Sequence, residues 1–185
     1  MKLAFLDTET TGLNPNVHEI IDFAVIVVEG DKILNTYQTK IKPQRLDQAD
    51  PKALEINGFK EEDWLSAPSI TEVGPRIAEL LQGCTLVGHN VSFDEAILKQ
   101  NLQRANVPYS IPYHKIDTVT LAFEHLKPLG LKRVSLDAIR EFLGWSKEGS
   151  HTAMCDAEDA KRLFDLTWRM STVNKIRVKI FQFLS

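Results

Sequence analysis

The chain has 185 residues, 43% of them apolar and 25% charged. That mixture excludes intrinsic disorder and low-complexity fibres, and the length suits one domain of roughly 100–200 residues, here taken as 1–185. The formal charge is −3, which excludes a globally basic, sequence-independent duplex binder. The charge is uneven. Residues 1–92 hold 8 basic against 14 acidic groups, and residues 93–185 hold 14 against 11. Nucleic-acid contact is therefore expected to be local and short.

Residues 2–6 form a short apolar run that meets Asp7 at once, too soon for a secretory signal. Residues 20–28 are almost wholly apolar and β-branched, as a strand buried on both faces requires. Their longest apolar stretch, 23–28, is far short of the roughly 20 residues that span a bilayer, so no membrane association is expected. Residues 33–41 alternate as a half-exposed strand, and Gly30-Asp31 suits the hairpin between the two.

Helical signals follow. Ser69-Ile70-Thr71-Glu72 reads as a capping box, with Ile77, Leu80 and Leu81 at helical spacing behind it. A buried strand is expected at 85–88, and Ser92-Phe93-Asp94-Glu95 reads as a second capping box. A brief strand at 114–116 precedes helices near 118–125 and 135–143. A long helical region begins near Thr152 and is expected to break around Ser171. The order predicts an α/β fold, a mixed sheet flanked by helices. Cys84 and Cys155 lie far apart and form no metal or disulfide framework, so a reduced, cytoplasmic setting is expected.

Several acids stand where acids are costly. Asp7 and Glu9, two apart on a strand, project from the same face, and two such carboxylates repel unless a cation lies between them. Their hard oxygens suit Mg²⁺ or Mn²⁺. Composition alone predicts about 0.8 Asp-x-Glu by chance, so the pair by itself does not make a site. Asp94 falls in the first turn of a helix, where the dipole alone favours an acid. Asp156 shares a helical stripe with Ala160, Leu163, Phe164 and Thr167, an inward position that requires a partner. Glu158 with Arg162 and Asp165 with Arg169 are expected to pair on the opposite, solvated face. His151 precedes Asp156 by five positions and is a candidate base near neutral pH.

Together these segments resemble the DEDDh family of 3′→5′ exonucleases, which includes DNA polymerase proofreading subunits and RNase T. Phe5-Leu6-Asp7-Thr8-Glu9-Thr10-Thr11-Gly12-Leu13 is similar to the first motif and Val87-Gly88-His89-Asn90-Val91-Ser92-Phe93-Asp94 to the second. His151-Thr152-Ala153-Met154-Cys155-Asp156-Ala157 is similar to the third. The resemblance covers about residues 1–170. It implies an RNase H-like fold, a mixed five-stranded sheet with the first strand central and helices on its flanks.

The resemblance further implies two Mg²⁺ or Mn²⁺ ions held by Asp7, Glu9, Asp94 and Asp156, with His151 as the base. It implies that Thr10 holds the terminal sugar, Leu13 wedges against the terminal bases and Phe93 packs beneath them. Many relatives carry histidine where Asn57 stands, near the substrate cleft; Asn57 can still hydrogen-bond a sugar or base. The expected substrate is the 3′ end of single-stranded DNA, with RNA or short RNA as the alternative and a non-catalytic nucleic-acid-binding module as the rival class. A polymerase or other replication protein is a candidate partner. The lack of the linker and tail of proofreading subunits leads to the expectation of a stand-alone nuclease or a phage-type relative rather than a standard replicative subunit.

Overall fold

The computed structural model describes residues 1–110, 112–146, 148 and 152–184, with only the backbone path described from 169 onward. Five strands form one sheet: β1 (Lys2–Thr10), β2 (Ile20–Glu29), β3 (Lys32–Lys40), β4 (Cys84–Gly88) and β5 (Lys115–Asp117). Their order is β3-β2-β1-β4-β5, so β1 is central. β2 runs antiparallel to β1 and β3, while β4 runs parallel to β1 and β5. Parallel neighbours need crossover connections, and helices supply them.

The helices are α1 (Pro51–Ile56), α2 (Glu61–Trp64), α3 (Ile70–Leu81), α4 (Val91–Arg104), α5 (Thr118–His125), α6 (Leu136–Leu143) and α7 (Ala153–Leu184). The pleat of β1 divides the core in two. Ala4 and Leu6 join Phe23, Val25 and Val27 against Ile77 and Leu81 of α3 and Ile97 and Leu98 of α4. Leu3 and Phe5 join Ile26, Val28 and Val87 on the other face, against Met154 and Phe164 of α7. The Phe5 and Phe164 rings meet edge to face, 5.4 Å apart.

Four elements differ from the sequence expectation. Ser92 is not a cap: α4 begins after Asn90, which takes φ 73°, and the Asn90 N–H donates to Asp117 Oδ1 at 3.1 Å. The tight exit from β4 at Gly88-His89-Asn90 sets that start. The last strand lies one residue later than expected. Helices α1 and α2 were not anticipated, although Asp50-Pro51 is a start signal, with Asp50 accepting from the Lys52 N–H at 2.9 Å. α7 runs unbroken past Ser171, since no Gly or Pro occurs between Ala153 and Leu184.

The expected Ser69 cap holds: the Glu72 carboxylate accepts from Ser69 N and Oγ, both at 2.7 Å. Among the described residues, no helix is long and apolar enough to cross a membrane.

Candidate active site

The site grows out of β1 by alternation. Residues 3, 5, 7 and 9 face α7, so two apolar floor residues are followed on that face by two acids at the strand's end. Asp156, in the first turn of α7, comes down onto them. Asp7, Glu9 and Asp156 each offer one carboxylate oxygen, and these atoms lie within 4.8 Å of one another.

Thr8 points to the opposite face, where its hydroxyl donates to Asp94 Oδ1 at 2.7 Å. Asp94 is only 3% exposed. An acid placed merely for the helix dipole has no need of such burial; the bond ties Asp94 to β1, one residue from Asp7.

Burial is the first cause of the electrostatic strain. Asp7 is pushed well above the ordinary carboxylate range by burial, then by Asp94, Asp156, Glu9 and Asp22. Glu9 is pushed to about 7 by burial, then by Asp156, Asp22 and Asp94. Asp94 also reaches about 7 through burial, although the Thr8 hydrogen bond acts in the opposite direction. The donor set of Asp7, Glu9 and Asp156 consists of hard oxygens, carries excess negative charge and converges within 4.8 Å. It fits a divalent cation of the Mg²⁺ or Mn²⁺ kind.

A pH dependence follows. A carboxyl whose pKa is raised on folding stabilises the native state below its unfolded value, near 4, and that stability is lost as pH rises through about 7. For Glu9 the change is worth roughly 3 kcal/mol. In EDTA, the melting temperature should fall between pH 5 and pH 8, and Glu9→Gln should flatten the decline. A metal-free protein whose melting temperature is level across that range would contradict the strain.

The other predicted site residues are placed as follows. Thr10 is buried, and its hydroxyl donates to the Gly12 carbonyl at 2.9 Å. Gly12 has φ 153°, and a Cβ there would lie 2.4 Å from the His18 ring, so the turn after Thr10 requires glycine. Leu13, on that turn, is 78% exposed. Phe93 is half-buried against the α3–α4 core. The Asn57 side-chain N–H donates to the Thr10 carbonyl at 2.9 Å, which ties the end of α1 to the first motif. His151 lies outside the described residues.

Three residues escaped the sequence reading. Asp22 pairs with Glu9 in the β1–β2 register and accepts from the Ala153 N–H at the start of α7, at 3.4 Å. Its signal was an acid inside an otherwise apolar strand. Arg140 and Asp159 were also missed. Asp159 is 8% exposed and accepts from Arg140 Nε at 2.7 Å, so Asp156 is not the single inward acid of α7.

The solvated face of α7 is also rearranged. Lys161 pairs with Asp165 at 2.7 Å, and Arg162 sits over the Trp145 ring at 4.2 Å, instead of the expected pairing with Glu158. The Arg169 side chain lies outside the described residues.

Known proteins resemble this chain in sequence and fold. DNA polymerase III PolC-type of Thermotoga maritima is 36% identical over 160 residues, which cover 86% of this chain and 11% of that protein. DNA polymerase III subunit epsilon of Escherichia coli K12 is 32% identical over 163 residues, covering 83% of this chain and 65% of that protein. The chain therefore spans less than two thirds of either relative. E. coli exonuclease I, solved in complex with a dA16 oligonucleotide, shares the fold with a TM-score of 0.72 at 22% identity, over 89% of this chain and 42% of that one. The exonuclease family model of RNase T type matches residues 4–164. With its motifs in order on that span, the chain belongs to the RNase T/DnaQ-like family of 3′→5′ exonucleases.

Proposed function

We propose that residues 1–185 act as one exonuclease domain that removes nucleoside 5′-monophosphates from the 3′ end of single-stranded DNA. The observation that carries this reading is the convergence of Asp7, Glu9 and Asp156 within 4.8 Å, with Asp94 tied to the same strand through Thr8. Asp7, Glu9 and Asp156 would hold one Mg²⁺ or Mn²⁺ ion, and Asp94 with Asp7 a second. Such ions, when bound, favour ionisation of water and stabilise negative charge on oxygens around phosphorus.

The chain's own residues supply the rest. His151 takes the proton of the attacking water as its oxygen forms the new bond to phosphorus and the bond to the 3′ oxygen breaks. Thr10 orients the terminal sugar. Exposed Leu13 meets the terminal base, and half-buried Phe93 supports it from below. Asn57 acts on the substrate indirectly, because its amide fixes the Thr10 carbonyl.

Single strands are favoured because placing a terminal nucleotide in a closed site from a duplex costs unpairing energy. The relatives named as DNA polymerases support DNA as the substrate. The relatives named as polymerases and as a polymerase subunit support a replication partner.

The test uses 5′-labelled DNA and RNA strands, each with a free or a blocked 3′ end, in Mg²⁺. The DNA strand should shorten in single-nucleotide steps, a bulky 3′ block should stop it, and a 5′ block should have little effect. Internal fragments, or indifference to the 3′ block, would reject exonucleolytic action. Faster degradation of RNA would move the substrate to RNA, and no cleavage of either would leave a binding module.

A further inference from the structure

Arg140 is the largest fully buried side chain among the described residues, at 1% exposure. It stands on the apolar stripe of α6, beside Leu136 and Ile139, where an arginine has no place unless its charge is fully matched. Three carboxylates match it. Nη1 donates to Asp137 Oδ1 at 3.0 Å, Nε to Asp159 Oδ2 at 2.7 Å and Nη2 to Asp156 Oδ1 at 2.5 Å.

The planar guanidinium makes these bonds in fixed directions. Asp137 and Asp159 thus orient the arginine, and the arginine in turn orients Asp156. Asp137 lies three residues before Arg140 on α6, and Asp159 three residues after Asp156 on α7, so the clamp also sets how the two helices meet.

The geometry points to Arg140 as a positioning residue for the metal-binding carboxylates: clamped by Asp159 and Asp137, it fixes the Asp156 carboxylate against Asp7 and Glu9 and thereby sets the site's affinity for a divalent cation. This rests on the reading of those acids as metal ligands. Partners that orient ligating groups typically change metal affinity by about 10–100-fold when altered. A flexible ammonium keeps the charge and loses the fork, so Arg140→Lys separates orientation from electrostatics.

Mn²⁺ binding to the metal-free full chain, measured by titration calorimetry, is the test, with melting temperature recorded in parallel. Arg140→Lys should weaken Mn²⁺ binding by about 10-fold or more, and turnover should recover as Mn²⁺ is raised. Ile77→Ala, in α3 and away from the site, should lower the melting temperature while leaving Mn²⁺ affinity unchanged. If Arg140→Lys does not fold, Asp159→Asn, which releases Nε and leaves Asp156 in place, should weaken Mn²⁺ binding in the same direction. Wild-type affinity in whichever of these variants folds would overturn the role of Arg140 and leave the metal site standing. Failure of the wild type to bind Mn²⁺ would overturn the metal site itself, and this inference with it.

Discussion

Asp7→Asn is expected to abolish the rise in melting temperature that Mn²⁺ produces in the wild-type protein and to reduce nuclease turnover to assay background. Asp7 carries the repulsion of the cluster: burial first, then Asp94, Asp156, Glu9 and Asp22, raise its pKa. An ion that binds only the native state stabilises it by about 2.7 kcal/mol at one hundred times Kd. That increment should vanish with the ligand.

The sign reverses without metal. Removing a charge held among buried carboxylates should make metal-free Asp7→Asn more stable than the metal-free wild type at pH 8, where repulsion is greatest. Thermal unfolding with EDTA and with saturating Mn²⁺ measures both. A variant that keeps the Mn²⁺ increment would place the cation elsewhere, whereas loss of stability in EDTA as well would mean that Asp7 is a structural group.

His151→Ala should lower turnover by about 10²–10⁴-fold, the usual contribution of a positioned general base. It should also leave Mn²⁺ affinity close to wild type, because the four carboxylates remain. Histidine titrates near pH 6.5 in the absence of perturbation, so the acid limb of the wild-type pH–rate profile should fall roughly between pH 5 and pH 8 and flatten in the variant. Glu9 and Asp94, both pushed to about 7, titrate in the same window. The profile must therefore be taken at saturating Mn²⁺, where the ligands are held ionised. Asp156→Asn is the contrast, since it should lose metal binding and turnover together. Near wild-type turnover of His151→Ala at neutral pH would remove the histidine from the mechanism.

Much of the fold could be read locally. The apolar run of β2, the alternation of β3 and the Ser69 cap of α3 are properties of adjacent residues, which the backbone's two periodicities convert directly into strand and helix. Asp7 and Glu9 were legible for the same reason: a strand puts alternate residues on one face whatever surrounds it. Helix α5 and the start of α6 were likewise legible, with Asp117 accepting from the Val119 N–H at 2.9 Å and Ser135 at the head of α6.

What the tertiary structure decided is which charges meet. Arg140 stands out on the apolar stripe of α6 while Asp159 looks ordinary on α7, and only the packing of α6 on α7 makes them one buried cluster with Asp156. Thr8 and Asp94 are 86 residues apart, and their bond depends on α4 starting at the end of β4, beside the centre of the sheet. The start of α4 itself was misread because a local capping pattern competed with a turn set by Asp117 from the neighbouring strand. Local periodicity determines elements and faces. Charge matching across elements depends on distances in space, and those exist only once the sheet has brought β1, α4, α6 and α7 to one end.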